Sequence, residues 1–105
     1  MPSQRIQKLI EMIDKHQDDV YLYYALGTTY LEEGNLIEAE NWFKKVLQLE
    51  PDNIAAHYQL GILLHKRGVE KEAITLFEHG LKLANIKGDL KTVNDFKTAI
   101  EEILF

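Results

Sequence analysis

The chain has 105 residues, 46% of them apolar and 28% charged, which is typical of one folded domain and excludes an intrinsically disordered segment. Its net charge of −5, with basic residues scattered among acidic ones, disfavours nucleic acid and anionic membrane as partners, because such binding needs clustered Lys and Arg. The sequence has no cysteine, no signal-peptide-like start and no apolar run of the ~18 residues that a membrane span needs, so we expect a cytoplasmic protein.

The first predicted element is a helix over residues 3–16. Its apolar residues recur every three or four positions, which places them on one helical face. They are Ile6, Leu9, Ile10 and Ile13.

Residues 20–53 are predicted to form two helices joined by a short turn. In the first helix, apolar residues at Tyr23, Leu26, Tyr30 and Leu31 make one stripe. Gly34 supplies the left-handed residue that ends it. The second stripe contains Ile37, Ala39, Phe43, Val46 and Leu47. Pro51 then ends the unit because a proline cannot continue a helix.

Residues 54–87 repeat this plan. A shift of 34 places gives nine identities: Tyr24 with Tyr58, Leu26 with Leu60, Gly27 with Gly61, Gly34 with Gly68, Glu38 with Glu72, Ala39 with Ala73, Phe43 with Phe77, Leu47 with Leu81 and Leu49 with Leu83. A fixed period of this length indicates stacked supersecondary units, with small residues where the helices of a pair cross. The second copy has Asn85 where Pro51 would recur, so its second helix, 70–86, is expected to run on until Gly88.

Residues 88–105 are predicted to form a last helix over 89–104, capped by Asp89 and packed against the helix 70–86. The expected buried stripe consists of Leu90, Val93, the stem of Lys97, Ile100 and Leu104. The opposite face is polar, which suits a helix that closes the end of a repeat stack.

No pattern in the sequence predicts an enzyme, a metal site or a cofactor. Ser3, the only serine, lies near the terminus, so a Ser-His-Asp arrangement is not expected. The histidines His16, His57, His65 and His79 show no helical spacing of three or four residues that would favour a metal site. The glycines form neither a dinucleotide-binding nor a Walker motif.

The residues Tyr23, Leu26, Gly27, Tyr30, Gly34, Ala39, Phe43, Val46 and Pro51 together resemble the tetratricopeptide repeat signature in register, with Tyr23 where tryptophan is usual. The second copy matches at Leu60, Gly61, Leu64, Gly68, Ala73 and Phe77 and departs at His57, Gly80 and Asn85. The resemblance implies an all-α fold, a short right-handed superhelical stack of about six helices in antiparallel pairs with a C-terminal capping helix. One domain over 3–105 then comprises a half-repeat helix 3–19, repeats 20–53 and 54–87, and a cap 88–105.

The resemblance also implies a concave face, lined by the first helix of each pair, that binds a peptide or helix of a partner protein. The corresponding residues are Tyr21, Tyr24, Thr28, Leu31, Tyr58, Gln59, Ile62 and His65. Thr92 and Phe96 are expected to add a wall. Two alternatives stay open: Tyr24 and Tyr58 serve only to pack neighbouring helices, or the chain is a structural unit that self-assembles into a homo-oligomer, with Phe105 as an exposed contact.

Overall fold

The computed structural model describes residues 2–105, and these form six α-helices with no strand among them. The helices are α1 (Gln4–Lys15), α2 (Val20–Glu32), α3 (Leu36–Leu49), α4 (Ile54–Lys66), α5 (Glu70–Lys87) and α6 (Leu90–Leu104). The predicted all-α class is therefore confirmed. The bounds predicted for helices 3–16, 70–86 and 89–104 each lie within one residue of those observed.

The helices fall into two compact units. The first ends at Pro51 and contains α1, α2 and α3, in which α2 packs against both other helices. The second, Asp52–Phe105, contains α4, α5 and α6, in which α5 packs against both others and α4 also touches α6. The division of one domain into the four segments predicted from the sequence stays a prediction.

Local chemistry explains where the hairpin turns fall. Gly34 and Gly68 adopt φ values of +82° and +79° directly after α2 and α4, a left-handed conformation that a side chain would strain. Asn35 and Asn53 accept a backbone hydrogen bond from the first turn of α3 and α4 respectively. Val69 occupies the corresponding place before α5 and forms no side-chain cap.

Each helix pair is closed by a phenylalanine that lies on a glycine of the facing helix. A Cβ atom built on Gly27 would lie 2.8 Å from Phe43, and one on Gly61 would lie 2.4 Å from Phe77. Both rings are buried. The small residues predicted at the helix crossings therefore let the backbone approach an aromatic ring, which fills the space that a side chain would take.

The same contact recurs between α5 and α6. A Cβ atom on Gly80 would lie 2.4 Å from Phe96, whose side chain is 0% exposed. In all three contacts the phenylalanine follows its glycine by 16 residues. Gly80, a departure from the repeat signature, is thus the position that receives the last helix.

The predicted inner face of α6 was wrong in part. Val93 is buried as expected, but Leu90 and Leu104 are 72% and 57% exposed and Lys97 is exposed too. The buried residues of α6 are Val93, Phe96 and Ala99. The physical reason is the Gly80 contact, because seating the Phe96 ring there rotates Leu90 and Leu104 toward solvent.

Candidate functional site

Four of the residues predicted for partner binding lie on α2, in the first unit: Tyr21, Tyr24, Thr28 and Leu31. Tyr21 is 84% exposed and the other three are half-buried. The ring of Tyr24 packs edge-on against Phe43 with a centroid distance of 5.7 Å. Thr28 Oγ1 donates to the carbonyl oxygen of Ala25 at 3.0 Å. This face of α2 is therefore aromatic and uncharged.

The other four lie on α4, in the second unit: Tyr58, Gln59, Ile62 and His65. All are half-buried. The ring of Tyr58 packs against Phe77 and Phe96, with centroid distances of 6.0 and 5.4 Å. Burial raises the pKa of the Tyr58 hydroxyl, and the nearby Asp95 and Glu102 carboxylates add to the rise.

The predicted site thus consists of two groups of four residues, one on the first helix of each hairpin, and its role in binding stays a prediction. The wall expected beside it was wrong at Phe96, whose side chain lies in the core of the second unit. Thr92 is half-buried, and its Oγ1 donates to Asp89 Oδ2 at 2.7 Å.

The structure brings together two histidines that the sequence did not pair. His57 is buried on α4, and its Nε2 lies 3.1 Å from Nδ1 of His79 on α5. Its Nδ1 lies 2.8 Å from the carbonyl oxygen of Asn53. Because a carbonyl only accepts, Nδ1 of neutral His57 carries the proton and Nε2 accepts one from His79.

This pair has a consequence for ionisation. Burial lowers the pKa of His57, and neighbouring His79 lowers it further, whereas the bond to Asn53 and the charge of Asp52 act in the opposite direction. Spacing along a single helix could not reveal the contact, since the two residues are 22 positions apart on facing helices. In the first hairpin Tyr23 and Lys45 are also 22 residues apart and in contact, so the equivalence of the two repeats is a signal that could have indicated the histidine pair.

An aromatic pair in the first unit was also missed. The rings of Tyr23 on α2 and Trp42 on α3 are stacked, with a centroid distance of 5.8 Å and an interplanar angle of 16°. Lys45 Nζ lies 5.8 Å from the centroid of the Tyr23 ring, within cation–π range. Tyr23 was interpreted as part of the apolar stripe of its helix and of the repeat signature, and Trp42 was not considered.

Two structural features are absent from residues 2–105. No group of three His, Cys, Asp or Glu side chains there is placed to hold a metal ion together. None of the helices in that range combines the length and the apolar character needed to cross a bilayer.

Tandem hairpins with repeated Gly–Phe contacts define a helical repeat protein, and residues 27–68 match the family model for the TPR (tetratricopeptide) repeat. A solution structure of a protein from Bordetella parapertussis superimposes with a TM-score of 0.84 at 25% identity, covering 99% of this chain and 90% of that one. The chain belongs to the tetratricopeptide repeat family.

Two curated relatives share part of the sequence. The BBSome complex member BBS4 homolog of Drosophila melanogaster is 35% identical over 74 residues, 70% of this chain. A TPR repeat-containing protein of Methanocaldococcus jannaschii is 50% identical over 48 residues, 46% of this chain. The matches span only 15% and 14% of the length of these two proteins. Proteins with this fold generally act as protein–protein interaction modules.

Proposed function

We propose that this chain is a non-catalytic interaction module that binds a peptide or helix of a partner protein through the exposed faces of α2 and α4. The residues proposed to contact the partner are Tyr21, Tyr24, Thr28, Leu31, Tyr58, Gln59, Ile62 and His65.

One observation carries the proposal. Tyr24 and Tyr58 occupy the same place in the two repeats, and each ring packs on the phenylalanine of its own hairpin while part of its surface stays open. Packing of this kind holds the ring in place before a partner arrives, so little rotamer entropy is lost on binding. Tyrosine also combines a large apolar surface with a polar tip, which suits it to protein interfaces.

Selection from a displayed library of random 15-residue peptides tests this proposal. The selected peptides are synthesised and their affinity is measured for the unmodified protein and for the double variant Tyr24→Ala/Tyr58→Ala. We expect the double variant to lose roughly tenfold or more in affinity, since interface tyrosines often contribute above 1 kcal/mol each.

A matched control removes exposed apolar side chains that lie elsewhere. Ile37 on α3 is 64% exposed and Leu104 on α6 is 57% exposed. The variant Ile37→Ala/Leu104→Ala should leave peptide affinity unchanged. Urea unfolding of both double variants establishes that they are folded. Peptides that bind the tyrosine variant as tightly as the unmodified protein would refute the assigned faces.

A second candidate function, self-assembly, is favoured by apolar side chains exposed on the second unit. Phe105 is 99% exposed, Ile86 77% and Leu90 72%. Sedimentation velocity over a hundredfold range of protein concentration tests this alternative. A concentration-dependent dimer that Phe105→Ser weakens would favour it, whereas a monomer at every concentration would remove it.

A further inference from the structure

A second surface, on the side of the first unit where α1 and α3 flank α2, is separate from the residues proposed above. It is a depression of about 460 Å³. We name it the α1–α3 depression and define it by the five lining residues that carry its chemistry: Asp14, Asp18, Tyr23, Trp42 and Lys45.

The aromatic wall of the depression is fixed in place. The stacked rings of Tyr23 and Trp42 are tied at their polar ends: Tyr23 Oη donates to the carbonyl oxygen of Gln17 at 2.6 Å, and Trp42 Nε1 donates to Glu38 Oε2 at 3.2 Å. Tyr23 is buried, stacked on Trp42 and covered by the Lys45 ammonium, so the half-buried Trp42 ring is the part of this wall that can offer a π face to a ligand. A π face carries partial negative charge and attracts cations.

The depression already contains a cation from the chain itself. The ammonium group of Lys45 lies over the Tyr23 ring, which shows that a positive charge is accommodated at this wall. Asp14 and Asp18 face the same space from the end of α1 and the turn that follows. Both carboxylates are exposed, and neither forms an ion pair with a residue in the described part of the chain.

Charge favours a basic partner for this unit. Residues 1–51 contain nine acidic and five basic residues, whereas residues 52–105 contain eight and seven. A neighbouring depression of about 390 Å³ is lined by Tyr30, Glu33 and Glu38, and Glu38 accepts the Trp42 hydrogen bond. Carboxylates therefore lie on both sides of the tryptophan.

We propose that the α1–α3 depression binds an arginine side chain within a peptide segment of a partner protein. A guanidinium group is planar, stacks on aromatic rings and forms paired hydrogen bonds with carboxylates, so it can use Trp42 and the aspartates at once. A lysine ammonium carries the same charge but lacks the planar fork. Arginine is therefore the preferred occupant of this surface.

The only tryptophan of the chain is Trp42, so intrinsic fluorescence reports on this surface directly. The probe is the blocked peptide acetyl-Ala-Arg-Ala-Ala-Arg-Ala-amide, titrated into the full chain. We expect a saturable change in tryptophan emission, with the lysine version of the peptide binding about threefold or more weakly. Asp14→Asn/Asp18→Asn should weaken the arginine peptide by about tenfold.

The matched control, Glu101→Gln/Glu102→Gln, removes two exposed charges from α6 in the other unit. It should change affinity by less than about twofold. Lys45→Met, which removes the resident ammonium, should tighten binding by about threefold, because it frees the Tyr23 face and removes a like charge.

Four outcomes would overturn the proposal. They are no saturable change in emission, equal weakening by the two carboxylate variants, binding of spermidine as tight as that of the peptide, and weaker binding by Lys45→Met. The variant Tyr24→Ala/Tyr58→Ala should bind the arginine peptide normally. Failure of the α2 and α4 proposal is therefore distinguishable from failure of this one.

Discussion

The hairpins α2–α3 and α4–α5 share their Gly–Phe contact and differ at the residue four positions before the glycine. In the first hairpin this residue is Tyr23, which stacks on Trp42 and lies under the ammonium of Lys45. In the second it is His57, which is hydrogen-bonded to His79. Lys45 and His79 are 34 residues apart and so occupy equivalent positions. The two hairpins therefore differ at both residues of this contact.

The difference shows how one frame supports two chemistries. The glycine and phenylalanine fix the distance between the helices of each pair, so equivalent positions of the two hairpins meet across the same crossing, as Tyr23 meets Lys45 and His57 meets His79. The first hairpin uses this geometry for a cation over an aromatic ring, whereas the second uses it for a pair of imidazoles. The repeat therefore conserves geometry while its side chains specialise.

The largest expected effect concerns the phenylalanines. Phe77→Ala should cost about 3–5 kcal/mol of unfolding free energy, and Phe43→Ala somewhat less, since a buried aromatic leaves a cavity when truncated. Within residues 2–105, the Phe77 ring packs against two other aromatic side chains, Tyr58 and Phe96, whereas the Phe43 ring packs against one, Tyr24. Urea unfolding monitored by circular dichroism measures both. An equal or larger loss for Phe43→Ala would show that the second hairpin is not the more tightly packed.

The glycines come next. A Cβ atom would lie closer to its ring at Gly61 than at Gly27, 2.4 Å against 2.8 Å. Gly61→Ala should therefore lose about 1–3 kcal/mol, and Gly27→Ala less, because overpacking opposes the better helix propensity of alanine. Thermal unfolding ranks the two variants. If Gly61→Ala stabilised the chain, the close contact would have to be relieved by movement of Phe77 at little cost.

An exchange of caps between the hairpins should have a smaller effect. Asn35 caps α3, but its counterpart Val69 forms no cap on α5 and is already 38% exposed. Val69→Asn should stabilise the chain by about 0.5–1 kcal/mol, and Asn35→Val should destabilise it by about 1 kcal/mol. If capping decides the result, chemical denaturation should show changes in unfolding free energy of opposite sign for the two variants. The same sign for both would mean that capping does not decide the result.

The smallest expected effect is a dependence of stability on pH that arises from His57, which stands in the second hairpin where the first has Tyr23. Burial lowers the pKa of His57 below its ordinary value of 6.5 in the folded chain. Between the folded-state pKa of His57 and its ordinary value of 6.5, the folded state therefore binds fewer protons than the unfolded state. The contribution of His57 to stability is therefore present above pH 6.5 and is lost as pH falls toward the folded-state pKa.

The variant His57→Tyr, which installs the residue of the first hairpin, should flatten this dependence. Melting temperatures between pH 7.5 and 5.5 measure the slope for the variant and for the unmodified protein. His16→Gln, a change at an exposed histidine of the first unit, serves as the control and should retain the slope. A slope that His57→Tyr does not change would place the pH sensitivity elsewhere.

The sequence predicted the helices well because their ends are local events. Gly34 and Gly68 adopt the left-handed conformation, and Asn53 caps a helix, so single residues determine where these helices begin and end. The face of α6 was different. The predicted stripe through Leu90, Val93 and Leu104 is as regular as the buried one, and only contact with Gly80 on another helix selects between them. The α6 residues that are buried in the structure are Val93, Phe96 and Ala99.

The side-chain pairs of the two hairpins could not be predicted from helical periodicity for the same reason. His57 meets His79, and Tyr23 meets Trp42, across helices whose relative register depends on packing. Spacing within one helix cannot report such pairs. Comparison of equivalent positions in the two repeats could have suggested the histidine pair, since Tyr23 and Lys45 are also separated by 22 residues.

The contact between Gly80 and Phe96 makes the last helix a plug. Without α6, the bare backbone at Gly80 and one side of Phe77 would face water, leaving an open notch along α5. A protease that cut the short turn around Gly88 would turn this plug into a removable piece. After such a cut, α6 would remain on the second hairpin only through non-covalent packing around Phe96, and the stability of that hairpin would depend on this packing.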